Sequence, residues 1–230
     1  MNNCKLECVD CLFKSDAVSV LNNDELGFMA ESCYTNEYKK GELIFKERTP
    51  VQHIVYLRRG FAKLMKTGVG SQDYILSIAK PGSYLGIQNL TKGNKTNFFS
   101  AKAITNSEVC HIDISSFYEL LKKNGTFAIE VIATIVNDEM NYFERLVNNV
   151  QQQVPGRLAS ALFYFRNQVY NQNPFDLNLT RTELASLVGS SREGLSRTLK
   201  EFNDEKIIQI QKNSVEIIDE EKLLEIKMKG

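Results

Sequence analysis

Thr180-Arg181-Thr182-Glu183-Leu184-Ala185-Ser186-Leu187-Val188-Gly189-Ser190-Ser191-Arg192-Glu193-Gly194-Leu195-Ser196-Arg197-Thr198-Leu199-Lys200 is the stretch that decides the architecture. Thr180 and Glu183 stand at capping-box spacing, so a helix is predicted to begin there. Leu184, Leu187 and Val188 give it an apolar face, and Ala185 is small where a second helix must come close. Gly189 suits the left-handed turn that ends a helix. Ser190 and Ser191 then supply oxygens to cap a second helix, whose inward face is Leu195 and Leu199. Two short helices around a tight glycine turn make a helix-turn-helix.

The outward face of that second helix carries Arg192, Glu193, Ser196, Arg197 and Lys200. Arginine donates two hydrogen bonds to guanine O6 and N7, glutamate accepts from cytosine N4, and serine serves either way. Arg192, Glu193, Ser196 and Arg197 are therefore the candidate base readers. Thr180, Arg181, Ser191, Lys200 and Lys212 are the candidates for the DNA backbone, Lys212 from the tip of a short hairpin near Ile208 to Ile218. A merely solvated helix, with Glu193 closing a capping box on Ser190, is the bland alternative. From Gln151 onward there are eleven Lys or Arg and eleven Asp or Glu. Positive charge must therefore be gathered on one face, as it is around the two helices, while the acids cluster at Asp219, Glu220, Glu221 and Glu225.

Upstream, Ile129, Ala133, Val136, Met140, Phe143, Val147, Val150 and Val154 recur in alternating steps of four and three. A 3.5-residue repeat sustained over three heptads is the pattern of a helix that pairs with another helix. The alternative is a helix packed on its own barrel. A second apolar line through Ile132, Ile135, Tyr142 and Leu146 is assigned to the barrel. Val154-Pro155-Gly156 is expected to end the helix and to form a hinge, followed by an amphipathic helix from Arg157 to Tyr170.

Residues 40 to 115 differ in kind. Glycines at turn-like intervals separate short β-rich runs such as His53–Leu57, Phe61–Met65, Tyr74–Ile78 and Val109–Ile112, with Gly68-Val69-Gly70 as a hairpin. Such runs argue for a sandwich, barrel or jelly roll. The predicted fold class is α+β: a Cys-bearing arm (1–20), a β domain of one of these kinds (21–125), a long dimerisation helix (126–154) and a helix-turn-helix domain with its hairpin (155–230).

Equal numbers of basic and acidic residues, 28 of each, neither suggest nor forbid a nucleic acid partner. The most apolar run, Phe127 to Val136, is about half the length a membrane span needs, and no apolar leader opens the chain, so a cytoplasmic protein is expected. No nucleophile motif, HExxH spacing or P-loop is present, and no enzyme is expected.

Barrel, long helix, Gly156-Arg157 hinge and the signature Thr180-Arg181...Ser191-Arg192-Glu193...Ser196-Arg197, in that order from about Leu21 to Ile218, resemble the Crp/Fnr family. The resemblance implies that the β domain is a double-stranded β-helix (jelly-roll) sensor barrel for an effector and residues 155–230 a winged helix-turn-helix, in a homodimer on a pseudo-palindromic duplex site, with contact to RNA polymerase. It also implies a half-site with a TGA core, Arg197 facing the guanine and Glu193 the bases opposite its neighbours, and Arg192 extending the site toward TGTGA.

The effector is less legible. Family members that take cyclic AMP carry Gly-Glu-Leu and then an Arg-Ser pair. Here Gly86 is followed by Ile87-Gln88, and the pair falls on Asn97-Phe98, so the cassette is broken and cyclic AMP is not expected. Cys4, Cys8 and Cys11 with Cys110 resemble the family branch that holds a [4Fe-4S] cluster, which needs four thiolates. The pattern departs at Ala17, where that branch has a ligand, and Cys4 matches a cysteine that is not normally one. The same thiols also suit a structural zinc, or Cys110 is a small buried hydrophobe and the other three an inert arm. Cys33 stands alone and is assigned to the core, and His53 and His111 to strands. The rival of a different class is a ligand-binding or redox iron–sulfur carrier module that has lost specific DNA binding.

Overall fold

Turn signals and β-rich runs between residues 33 and 113 become two antiparallel sheets. The computed structural model describes every residue except 1, 4–7, 10, 12, 69, 71, 72 and 91–95, and of residues 2 and 3 the backbone alone. Val69 of the predicted hairpin thus lies outside the described residues. The strands are β1 (Asn2–Asn3), β2 (Cys33–Tyr38), β3 (Leu43–Phe45), β4 (His53–Arg59), β5 (Ala62–Thr67), β6 (Asp73–Ala79), β7 (Tyr84–Leu85), β8 (Ser100–Ala103) and β9 (Ser107–Asp113). One sheet runs β1-β2-β9-β4-β7 and the other β3-β8-β5-β6. Together they form the jelly roll.

Register decides which residues share a face. Cys33 and Ile54 both pair with Ile112, and Thr35 and Tyr56 both pair with Cys110. Neighbouring strands hold paired residues side by side, so these side chains point the same way. A short helix, α1 (Asp16–Ser19), precedes three helices that cover that face: α2 (Asn23–Glu31), α3 (Ile114–Lys123) and the first turns of α4 (Gly125–Gln151). Leu26, Met29, Phe117, Leu120, Phe127 and Val131 close over Cys33, Ile54, Tyr56, Tyr84 and Ile112 in one buried cluster. The other face carries Val55, Leu57, Val109 and His111, all buried. Between β4 and β5, Gly60 has φ 81°, and a Cβ there would meet the Asn106 carbonyl oxygen at 2.5 Å and the Ser107 hydroxyl closer still. Only glycine fits that turn.

His111 is a strand residue, as the sequence predicted. Its ring stacks on Tyr34 at 4.8 Å, and its Nε2 lies 3.1 Å from the Tyr38 hydroxyl. Burial, reinforced by nearby His53, pushes its pKa down to about 4.

Helix α4 is one element of 27 residues. Its predicted seam is open to solvent: Ile129, Val136, Met140, Phe143, Val147 and Val150 are all exposed. The assignment of the second line needs correction. Phe127, Val131 and Ile135 meet the buried cluster, whereas Ile132 is 57% and Leu146 62% exposed. The apolar stripe left uncovered is thus wider than the 3.5-residue repeat alone.

The predicted ending of this helix is corrected too. α4 stops at Gln151, and Val154-Pro155-Gly156 opens the next helix, α5 (Val154–Tyr164). Proline fits a first helical turn, where its missing N–H would have had no partner. A π-helical turn (Phe165–Tyr170) continues α5 to Asn171. Then follow β10 (Phe175–Asp176), α6 (Arg181–Val188), α7 (Arg192–Asp204), β11 (Ile208–Gln211), β12 (Ser214–Ile217) and α8 (Glu220–Lys229). α8 was not foreseen. Compactness divides the chain inside α4, into Met1–Ser71 with Ser77–Glu139 and Gln72–Leu76 with Met140–Gly230.

Candidate nucleic-acid interface

The two helices of the motif form as their caps dictate. Thr180 accepts from the Glu183 amide at 3.2 Å, and the Glu183 carboxylate accepts from the Thr180 amide at 2.8 Å, closing the box at the start of α6. Gly189 ends α6 in the left-handed region, φ 68° and ψ 43°. The amide of Ser190 donates back to Ala185 at 2.9 Å, satisfying a carbonyl of the last turn. Ser191 alone caps α7, accepting from the Gly194 amide at 3.0 Å. Glu193 is thus not consumed by a box on Ser190.

Leu184, Ala185, Leu187 and Val188 of α6 are buried, as are Leu195 and Leu199 of α7. Thr198 and Phe202 are buried as well, which the sequence reading missed. The Thr198 hydroxyl is satisfied by the Gly194 carbonyl at 3.2 Å, four residues back. Every side chain at α7 positions 192, 193, 196, 197 and 200 is exposed. They share the face opposite Leu195 and Leu199. Among the described residues none of Arg192, Glu193, Arg197 and Lys200 is held in an ion pair. Among the basic residues elsewhere in this half, Arg166 pairs with Glu220 at 2.7 Å, Lys222 with Glu205 at 2.8 Å and Lys227 with Glu144 at 3.3 Å. Glu220 of α8 is thereby matched by Arg166, and the cations of α7 face solvent.

β10, β12 and β11 form a three-stranded sheet, with Phe175 opposite Val215 and Gln211 opposite Ser214. Lys212 takes a left-handed conformation, φ 56°, at the exposed tip between β11 and β12. This is the wing the sequence placed there. Thr180 is exposed, and Arg181 is half-buried in the first turn of α6. At the base of the domain, Arg157 donates from Nη1 to the Asn149 carbonyl at 3.2 Å, joining the end of α4 to the first turn of α5.

The other predicted sites lie in the barrel half. Cys4 lies outside the described residues. Cys110 places Sγ 3.7 Å from the Thr35 hydroxyl, and Cys8 places Sγ 3.7 Å from Cys33, the residue assigned to the core alone. Among the described residues no three His, Cys, Asp or Glu side chains are arranged to hold a metal ion. At the cassette positions Ile87 is buried, and Asn97 donates to the Thr49 hydroxyl at 3.1 Å and accepts from Asn89 at 3.1 Å. Neutral side chains stand where cyclic AMP-binding relatives carry Glu and Arg. Among the described residues, no helix is long and apolar enough to cross a membrane.

Comparison with known proteins agrees with this geometry. Residues 35–124 match the cyclic nucleotide-binding domain, and residues 156–226 the Crp-like helix-turn-helix domain. The chain is 22% identical to electron transport regulator A of Shewanella oneidensis over 228 residues, covering 96% of this chain and 90% of that one. It is 22% identical to the cAMP-activated global transcriptional regulator CRP of Escherichia coli over 186 residues, covering 80% and 89%. The fold matches FixK2 from Bradyrhizobium japonicum with a TM-score of 0.76 at 16% identity, covering 84% of this chain and 96% of that one. It matches a Crp/Fnr-family regulator from Eubacterium rectale with a TM-score of 0.72 at 15% identity, covering 93% and 98%. With barrel, long helix and winged helix-turn-helix in family order and both halves matching, the chain belongs to the Crp/Fnr family of DNA-binding transcription regulators.

Proposed function

We propose that the protein is an effector-responsive homodimer that binds a pseudo-palindromic duplex and acts on transcription with RNA polymerase, in the cytoplasm. The observation that carries the reading is the exposed face of α7, where Arg192, Glu193, Ser196 and Arg197 stand clear of ion pairs among the described residues, near the helix N-terminus. A recognition helix reads bases with its N-terminal residues. Arg197 donates bidentately to the guanine of a TGA core, Glu193 accepts from the opposite strand, Ser196 adjusts to either, and Arg192 reaches a further guanine. Thr180, Arg181, Ser191, Lys200 and Lys212 contact phosphates and set the register without reading sequence. The Ser191 hydroxyl keeps a proton to donate while it caps the helix.

Dimerisation follows from the uncovered stripe on α4. Eight apolar side chains between Ile129 and Val150, counting Ile132 and Leu146, are 40 to 79% exposed. A continuous stripe of that kind marks an interaction surface, and a second copy of the same helix supplies the matching heptads. Two α7 helices related by a two-fold then enter major grooves one helical turn apart. The barrel is the effector domain, and α4 relays its state.

The test is fluorescence anisotropy on a palindromic TGA-containing duplex and on a scrambled one of equal length, with sedimentation of the complex. Selective binding by two protomers per duplex supports the proposal; equal affinity for both duplexes refutes it.

A further inference from the structure

The arm at the start of the chain is docked, and the docking brings two cysteines together. β1 pairs with β2, placing Asn3 opposite Tyr34 and Asn2 opposite Thr35. On the other side of Cys8, the Phe13 ring lies under Arg59 at 4.5 Å and the Phe13 carbonyl accepts from the Tyr56 hydroxyl. Ser15 then meets the Tyr84 hydroxyl at 2.7 Å. Held at both ends, the arm sets Cys8 Sγ 3.7 Å from Cys33 Sγ at the first residue of β2. A covalent disulfide needs ~2.05 Å. The two sulfurs stand in van der Waals contact and must close that gap for a bond to form.

The two thiols differ in access. Cys33 is 4% exposed in the core cluster with Leu26 and Met29, its thiol donating toward the Ala30 carbonyl at 3.8 Å. Cys8 is half-buried and lies at the edge of the same cluster. An oxidant therefore meets Cys8 first, and Cys33 is the thiol within reach of what forms there.

We propose that Cys8 and Cys33 are a reversible thiol–disulfide pair oxidised by hydroperoxides. The Cys8 thiolate attacks one peroxide oxygen, the O–O bond breaks, and Cys8 becomes a sulfenic acid as hydroxide or alkoxide leaves. The Cys33 sulfur then attacks the sulfenic sulfur, the S–S bond forms, and the hydroxyl leaves as water with the Cys33 proton. The thiol pair loses two electrons and the peroxide gains them. For hydrogen peroxide the sum is two thiols and one peroxide giving one disulfide and two waters. The product pins the arm to β2 covalently, and an external dithiol releases it.

The test uses the full-length protein, reduced, desalted without air and treated with one equivalent of hydrogen peroxide. Remaining thiols are blocked, and the chain is digested without reductant by cleavage after Lys5 and before Asp10, which separates Cys8 from both Cys4 and Cys11. The expected product is a single Cys8–Cys33 linked peptide pair, with two of the five thiols lost per chain and both restored by dithiothreitol. Cys33→Ser should instead leave Cys8 as a sulfenic acid that dimedone captures. In Cys8→Ser, Cys33 should stay unreacted in the folded protein. Retention of all five thiols in the wild type overturns the proposal, as does a bridge from Cys8 to Cys11 or Cys110. So does iron in anaerobically purified protein that withdraws Cys8 from thiol titration.

Discussion

Met140→Glu places a carboxylate in the middle of the exposed stripe of α4. Met140 is 59% exposed on the single chain, so pairing two helices would remove that remaining area. Full burial of a methionine is worth about 1.5–3 kcal/mol, and the exposed share of it about 1–2 kcal/mol. A glutamate buried in an apolar seam of two such stripes, without a cation beside it, protonates rather than stay charged. At pH 7 that costs about 3.7 kcal/mol, from a pKa ordinarily near 4.3 at about 1.36 kcal/mol per unit. The two contributions come to about 5 kcal/mol per protomer, and symmetry doubles them. Even half of the total takes a nanomolar dimer to micromolar, since about 1.4 kcal/mol is tenfold. The expected result in sedimentation velocity is a monomer with unchanged far-UV circular dichroism. The sign with pH is also fixed. The protonated side chain is the one the seam accepts, so association takes up a proton and should recover as pH falls from 7 toward the ordinary glutamate range. A variant that sediments as the wild-type dimer at neutral pH would refute the assignment of this stripe to a second copy.

Arg197→Ala should remove most of the preference for guanine in the TGA core, by about 1–3 kcal/mol per half-site, and leave salt-sensitive binding to any duplex. Lys212→Ala should weaken binding to all sequences alike and lower the slope of log affinity against log salt by about one unit, as for a single phosphate contact. Gly189→Val forces a β-branched residue into φ 68°, where the nearest side-chain atoms lie at ordinary contact. Backbone strain of about 1–2 kcal/mol should lower Tm by several degrees. The imidazole of His111 has its pKa lowered from 6.5 to about 4, so the unfolded chain binds this proton more readily than the native one. Stability should fall as pH drops from 6.5 toward 4, by up to about 3 kcal/mol, and His111→Gln should flatten that part of a pH–denaturation profile.

Local chemistry made the helix-turn-helix legible. Thr180 with Glu183, Gly189 and Ser191 are caps, and a cap acts through atoms three or four residues away, within the span that sequence displays. The base-reading face follows from the same helix geometry, since residues opposite Leu195 and Leu199 must face out. What stayed hidden depends on residues distant along the chain. Cys33 looked solitary because its nearness to Cys8 is set by strand pairing and the docked arm, which no spacing encodes. Ile132 and Leu146 read as barrel contacts because period alone does not say which residues of α4 the barrel covers; among the described residues of α4, Phe127, Val131 and Ile135 are the ones that meet the buried cluster. Val154-Pro155-Gly156 reads as an ending because proline breaks a helix interior, and in a first turn it does the opposite. α8 escaped notice because its acidic start reads as a charge run, and its contacts, such as Lys227 with Glu144, cross the sequence.

Selection from a random duplex library, with sequencing of the bound pool, tests most directly whether α7 reads DNA as a pair of recognition helices. The account predicts an inverted repeat with a TGA core in each half, its centres one helical turn apart, and loss of preference at the guanine alone when Arg197→Ala replaces the wild type. An enriched pool without two-fold symmetry, or one whose guanine preference survives Arg197→Ala, would contradict it.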